Sequence, residues 1–336
     1  MADTYRVFGS ELSPYSVKVR SYFRYKRIPH EWLVRSAVTE AEFQRHAKLP
    51  LVPLVVPPNG DALQDSTPII EHLERRYPEP SLQPADPASA FLSALIEEYA
   101  DEWGNKPMFH YRWHYPPDQD SAAERIARSM MPGVAEDAVT SAIGTIKTRM
   151  VPRLALVGSS AATKDVIEGS FHRQLTILER HLDARPYLFG GRPALADFGL
   201  YAQLYQCSTD PTPGAIMRAR APRTLAWIER MLEPTARGAF EPWPALAPTL
   251  MPLLRDEIGA LFLPWSDANA RALAAGEKTF TVTLDGTSFT QETQKYHAKS
   301  LAVLRARYAN VADRGDLDPV LTAAGCARWL GGPDAR

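Results

Sequence analysis

Phe8-Gly9-Ser10-Glu11-Leu12-Ser13-Pro14-Tyr15-Ser16-Val17-Lys18-Val19-Arg20 joins a short apolar run to a helix start. Residues 5–9, Tyr-Arg-Val-Phe-Gly, read as a buried strand. Serine at an N-cap accepts a hydrogen bond from a free N–H of the first turn, and proline suits the first helical position. A helix therefore opens at Ser13-Pro14 and runs through Val17, Val19, Tyr22 and Phe23, with Lys18, Arg20, Arg24 and Lys26 interleaved. Beyond it, residues 30–35 read as a second strand and 39–47 as a short charged helix. Residues 51–56 form a third strand, and Pro57-Pro-Asn-Gly-Asp61 is a turn. Residues 62–65 are a fourth strand, and 66–77 a helix with Ile69, Ile70 and Leu73 on its inner face. The order is β-α-β-α-β-β-α by residue 77.

After a proline-rich linker near 78–87, the chain reads as helical to about 235. Apolar faces repeat every 3.6 residues near 90–103, 121–131, 137–155, 163–183, 196–206 and 222–233. Residues 245–262 continue in that style. Lys278-Thr-Phe-Thr-Val-Thr-Leu284 alternates as a strand does, Asp285-Gly286 is a turn, and a last helix is expected at about 292–309. The 336 residues allow two domains and a small third unit, drawn at 1–82, 88–240 and 241–336. A 45% apolar share supports a sizeable core. A net charge of −1 argues against nucleic acid or an anionic membrane as the main partner. Cys207 and Cys326 have neither metal-ligand nor disulfide-framework spacing, so no metal site is expected. No stretch reaches the roughly 18 apolar residues of a membrane span. Met1-Ala2-Asp3-Thr4-Tyr5 carries no basic cluster before an apolar run, so a reducing cytoplasm is the expected compartment.

Four segments in order resemble the glutathione transferase superfamily. Residues 8–20 are similar to the strand–loop–helix start of members that use serine, whereas glutaredoxins and omega-like members carry cysteine at the position of Ser13. Val52-Pro53 resembles the cis-proline of thioredoxin-like folds. Leu63-Gln-Asp65-Ser66-Thr-Pro-Ile-Ile70 resembles the segment that holds the γ-glutamyl end of glutathione. Tyr187-Leu-Phe-Gly-Gly-Arg-Pro-Ala-Leu-Ala-Asp197-Phe198 resembles the folding motif of the helical domain. The resemblance covers about 5–233. It implies an α/β plus all-α chain: a thioredoxin-like glutathione-binding domain, an α-helical C-terminal domain and an extension outside the family pattern. It also implies glutathione as co-substrate, a hydrophobic electrophile as second substrate, and a homodimer.

Under that resemblance each residue takes a role beside a plainer alternative. A thiol with a pKa near 8.5 is mostly protonated at neutral pH. The Ser13 hydroxyl would donate to the glutathione sulfur at the positive end of a helix, and both effects favour the thiolate; the alternative is an ordinary N-cap. Val52 would present its backbone to the cysteinyl peptide like an added strand, with Pro53 cis. Asp65 would accept from the α-ammonium, and Ser66 with its helix start would receive the α-carboxylate; Asp-Ser is also a usual helix start. Leu51 stands where many members carry the lysine that reaches the glycine carboxylate, so Lys48 is the candidate substitute. Tyr15, Tyr99, Trp103 and Arg112 are candidates for the wall of the second-substrate pocket, against interdomain packing as the alternative, with Arg112 pairing Asp101 or Glu102. Ala194 replaces the usual Ser or Thr of a capping box, leaving Asp197 as its structural half. Tyr296-His297-Ala298-Lys299 and Trp329 suggest a packed cap.

Overall fold

The computed structural model describes residues 4–331, so the first three residues of the Met1–Tyr5 segment lie outside it. Four strands, β1 (Tyr5–Gly9), β2 (His30–Val34), β3 (Leu54–Val56) and β4 (Leu63–Gln64), form a sheet in the order β2-β1-β3-β4. β2 runs parallel to β1, and β3 and β4 add antiparallel. A parallel pair needs a crossover, and α1 (Pro14–Tyr25) supplies it. α2 (Glu40–His46) follows β2, and α3 (Ser66–Arg76) follows β4. Val7, Val17, Val19, Phe23, Val55, Ile69 and Leu73 are buried together between sheet and helices. The order read from the sequence holds, but β3 starts three residues later than expected. The Gln64 amide clasps the preceding loop: its oxygen accepts from the N–H groups of Lys48 (2.8 Å) and Leu49 (3.0 Å), and its nitrogen donates to the carbonyls of Leu49 and Leu51 (2.9 Å each).

The helical part runs α4 (Pro87–Glu102), α5 (Asn105–His114), α6 (Pro116–Met130), α7 (Glu136–Met150), a 3-10 turn (Val151–Val157), α8 (Lys164–His181), α9 (Leu195–Thr209), α10 (Pro211–Arg220) and α11 (Pro222–Leu232). α4 and α9 pack side by side at its centre. Gly199 permits this: a Cβ there would lie 3.0 Å from the Glu97 side chain and 3.2 Å from its backbone. Asp197 is structural. Its carboxylate accepts from the N–H groups of Leu188 and Ala194 (2.9 Å each) and from the Trp227 indole (3.0 Å), and burial pushes its pKa up to about 7. Ala194 has no side-chain acceptor to return, so the box is closed by the Asp197 N–H on the Ala194 carbonyl.

Residues 243–330 do not hang off this body. α12 (Trp243–Pro252) continues through a π-helical stretch (Leu253–Phe262) into α13 (Leu263–Ala274). Leu250, Leu254, Ile258, Phe262 and Trp265 are buried in the same core as Tyr99 and Trp103. β5 (Thr279–Leu284) and β6 (Thr287–Glu292) form a hairpin, followed by α14 (Lys295–Ala309), α15 (Leu317–Ala323) and α16 (Ala327–Leu330). Asp285 and Gly286 turn the hairpin at φ 49° and 75°, as two-residue turns of this kind require. The helix expected at about 292–309 is α14, which starts three residues later, whereas β6 was not read from the sequence. Its inward residues are Phe289 and the polar Gln291, so hydrophobic alternation gives it away only weakly. α14 and α15 pack on α4.

Candidate active site

The strand register brings three pieces of chain to one end of the sheet. Phe8 pairs with Leu54, and Leu54 pairs with Gln64. The residues that follow β1, precede β3 and follow β4 are therefore neighbours: Ser10–Ser13, Val52–Pro53 and Asp65–Ser66. Ser13 is the N-cap of α1 at φ −102°, ψ 117°, and its Oγ accepts from the Ser16 N–H at 3.2 Å. That bond uses a lone pair of Oγ and not its hydrogen. The Val52–Pro53 peptide is cis, and Val52 lies just outside the β3 ladder.

Asp65 precedes α3 at φ 76°, ψ 126°, a region that residues with a Cβ seldom enter. Such backbone typically costs about 1–3 kcal/mol and collects at functional sites. Burial raises the Asp65 pKa, with the Lys18 charge opposing it. Its carboxylate accepts from the Tyr296 hydroxyl at 3.3 Å. Ser66 is buried at the first position of α3. Lys48 is exposed in the loop that Gln64 clasps, and Leu51 beside it is 61% exposed.

The residues expected to wall a second pocket divide. The Tyr15 hydroxyl donates to the Asp101 carbonyl at 2.9 Å, which ties the start of α1 to the end of α4. Tyr99 and Trp103 do not line a cavity. Both are fully buried on the face of α4 that meets α8 and residues 253–274, Tyr99 donating to Glu257 (3.1 Å) and Trp103 to Ser170 (2.9 Å). Trp103 also meets Trp265 edge-on at 5.9 Å. Arg112 is buried too, but it pairs with Asp210 (2.8 Å), not with Asp101 or Glu102. It also donates to Gln206 (2.8 Å) and to the Leu12 carbonyl (2.9 Å), so it braces the loop that carries Ser13.

Of the four carboxylates on α4, the sequence offered Asp101 and Glu102 only as partners for Arg112, and gave Glu97 and Glu98 no role. Glu97 and Asp101 face α1 and α3, where they hold the buried ammonium of Lys18, Asp101 at 2.6 Å. Thr67 accepts from Lys18 at 3.0 Å and donates to Glu97 at 2.6 Å. Burial would lower the Lys18 pKa, but Asp101 and Glu97 outweigh it and hold it above the usual lysine range. One ammonium does not neutralise two buried carboxylates; burial, against Lys18, lifts Asp101 to about 7. Glu98 and Glu102 face α14, where Glu98 accepts from the Ser300 hydroxyl and Glu102 bonds to His297 Nδ1. Burial, opposed by Lys106, lifts Glu102 to about 8. Burial and the Lys106 charge push His297 down to about 3. The spacing of Glu97 and Asp101, and of Glu98 and Glu102, at i and i+4 was the available signal. It fixes shared faces but not what those faces meet.

Two cavities adjoin these elements. One of about 220 Å³ lies between Glu102, Lys106 and Phe109 on one side and Arg153, Gln294 and His297 on the other. A larger cleft of about 710 Å³ opens at the other end of α3 and α14, at Glu74, Phe91 and Arg307. Glu74 stands roughly 14 Å along α3 from Asp65 at 1.5 Å per residue, so the larger cleft is not the one beside the Ser13–Asp65 edge.

Comparison with known proteins identifies the family. The family model for the glutathione S-transferase N-terminal domain matches residues 7–81, and that for the glutathione S-transferase C-terminal domain matches residues 137–230. The chain belongs to the glutathione S-transferase superfamily. Isoprene-epoxide–glutathione S-transferase of Rhodococcus sp. (strain AD45) is 25% identical over 230 residues, spanning 66% of this chain and 92% of that protein. A glutathione S-transferase from Methylobacterium radiotolerans, solved with glutathione sulfonate, is 22% identical at a TM-score of 0.44, covering 73% of this chain and 94% of its own. A beta-etherase from Sphingobium sp. strain SYK-6 is 20% identical at 0.48, covering 68% and 94%. Among the described residues no helix is long and apolar enough to cross a membrane.

Proposed function

We propose that this protein transfers the thiolate of glutathione to a small hydrophobic electrophile, with an epoxide as the favoured class. The observation that carries the reading is the register-fixed meeting of Ser13, Val52–Pro53 and Asp65–Ser66 at one edge of the sheet. In this reading Val52 pairs with the cysteinyl peptide, Asp65 takes the α-ammonium, and Ser66 with the α3 start takes the α-carboxylate. Lys48 is the remaining cation of the clasped loop for the glycine carboxylate. The sulfur then lies at the start of α1, where the Ser13 hydroxyl and the helix N-terminus favour the thiolate. The thiolate attacks carbon, a C–S bond forms, and the leaving atom takes the electron pair. The epoxide class is supported by the isoprene-epoxide activity in the relative's name. The family resemblance supports a cytoplasmic homodimer.

Leu51 at the lysine position, and a Tyr296 hydroxyl already on Asp65, favour a second reading: a binding module that kept the fold and lost strong glutathione binding. A calorimetric titration of glutathione into the wild type and Asp65→Ala separates the two. The transferase reading expects wild-type binding and a loss of about tenfold or more in the variant, because the removed bond involves charged partners. A wild type that gives no heat at millimolar glutathione favours the binding module.

A further inference from the structure

The extension reaches the proposed site through one turn of helix. Tyr296 and His297, consecutive residues at the start of α14, bond to Asp65 and Glu102 respectively. Tyr15, two residues after Ser13, bonds to the carbonyl of the residue preceding Glu102. Glu102 and His297 both line the 220 Å³ cavity, together with Phe109. Phe109 and Leu12, from the Ser13 loop, pack on the same small apolar cluster around Trp113. A cavity of this size falls below the roughly 300–1,000 Å³ of drug-sized sites, so it suits a small molecule.

We propose that this cavity receives the electrophile, and that Glu102, oriented by His297 of the extension, donates the proton to its leaving oxygen. The proposal rests on the thiolate-transfer reading above and adds an acid to it. The glutathione sulfur forms a bond to an epoxide carbon while the C–O bond breaks. The oxygen leaves with the electron pair and takes the proton of the Glu102 carboxyl. The products are a neutral thioether alcohol and a Glu102 carboxylate, and the thiol proton of the next glutathione restores the acid. No further reactant is needed.

The surroundings of the pair fit that task. His297 is held edge-on to Trp265, with ring centroids 4.8 Å apart. Being neutral, it can donate Nδ1–H to one Glu102 oxygen and leave the carboxyl proton on the other. Lys106 is buried 3.9 Å from the Trp265 ring centroid; burial holds its pKa well below the usual lysine range, with the Glu102 charge opposing, so a Glu102 carboxylate and a Lys106 ammonium favour each other after transfer. Burial raises the Glu102 pKa to about 8, which favours the protonated carboxyl that an acid requires. The Tyr296 hydroxyl, bonded to Asp65, places the first turn of α14 beside the proposed glutathione anchor.

Leaving groups provide the test. An epoxide needs a proton as it opens; an alkyl iodide releases iodide and needs none. Both are assayed with glutathione at pH 7 on the full chain. Glu102→Gln is expected to lower kcat on the epoxide by about 10²–10⁴-fold, the usual range for a general acid, and to lower it on the iodide at least tenfold less. His297→Ala is expected to show the same split with a smaller loss, which a purely structural effect would not. Equal losses on the two electrophiles, or an epoxide rate unchanged in Glu102→Gln, overturn the proposal and leave the parent reading standing. A wild type that reacts with neither electrophile overturns both. If Glu102→Gln fails to fold, the split in His297→Ala decides alone.

Discussion

Two faces of α4 each carry a pair of carboxylates four apart, Glu97 with Asp101 and Glu98 with Glu102, and give them different partners. On the face toward the thioredoxin-like domain, Glu97 and Asp101 close on the ammonium of Lys18 and on Thr67. On the face toward the extension, Glu98 and Glu102 receive a hydroxyl and a neutral imidazole. The first face joins two elements by charge. On the second, burial raises both pKa values, Glu102 to about 8, and among the described residues no cation closes on them as tightly as Lys18 does on Asp101, which burial still lifts to about 7. Carboxyls at the same helical spacing close on an ammonium on one side and on a hydroxyl and an imidazole on the other; the difference lies in what the third partner carries.

The largest effect is expected where charge joins two elements. Lys18→Met leaves two buried carboxylates facing an apolar side chain. Removing one partner of a buried ion pair costs about 3–5 kcal/mol. Urea unfolding should show a loss of that order, and a loss under about 1 kcal/mol would put Glu97 and Asp101 in effective contact with water.

A smaller effect, with a defined sign, belongs to the other face. The folded Glu102 pKa of about 8 lies above the roughly 4.3 of an unfolded glutamate. The folded state therefore binds this proton more tightly. Its contribution to stability is complete below about pH 4.3 and is lost as pH rises through about 8. Glu102→Gln removes that dependence. The stability of the variant relative to wild type should rise between pH 5 and pH 8 by up to about 1.4 kcal/mol per pH unit. Parallel pH profiles for the two proteins would contradict a raised Glu102 pKa.

The smallest effect belongs to Tyr296, which is 56% exposed. Tyr296→Phe should change unfolding free energy by no more than about 0.5 kcal/mol. Calorimetry should find glutathione affinity nearly unchanged. Markedly tighter binding would mean that the hydroxyl competes with the ligand for Asp65.

The thioredoxin-like domain was legible because its signals are local. Ser13-Pro14, Asn59-Gly60 and Asp65-Ser66 each mark a turn or a cap on their own, and their spacing fixes the element order. The local signals at Ser13 and Asp65 mark only caps and helix starts; the grouping of Ser13, Val52 and Asp65 into a site was read from the resemblance of their segments to glutathione transferases. The rest depended on contacts distant in sequence. Tyr99 and Trp103 look like pocket wall only until Glu257 and Trp265 are known to cover them. Gln291 conceals β6 because its inward side chain is polar, bonded to Lys106 and Trp265. Arg112 had plausible acids one turn or more behind it, yet Asp210, 98 residues later, takes its charge. Tyr296 and His297 suggested a packed cap, but nothing local could say that Asp65 and Glu102 lie beneath them.

The central claim is that Ser13 stabilises a glutathione thiolate at the start of α1. The most direct test follows the thiolate absorbance of bound glutathione against pH in the wild type and in Ser13→Ala. The account predicts that the bound thiol titrates at least about one unit below the free value near 8.5 in the wild type, and returns toward that value in the variant while affinity is largely kept. A bound thiol that titrates like the free one, or an equally lowered pKa in both proteins, would contradict it.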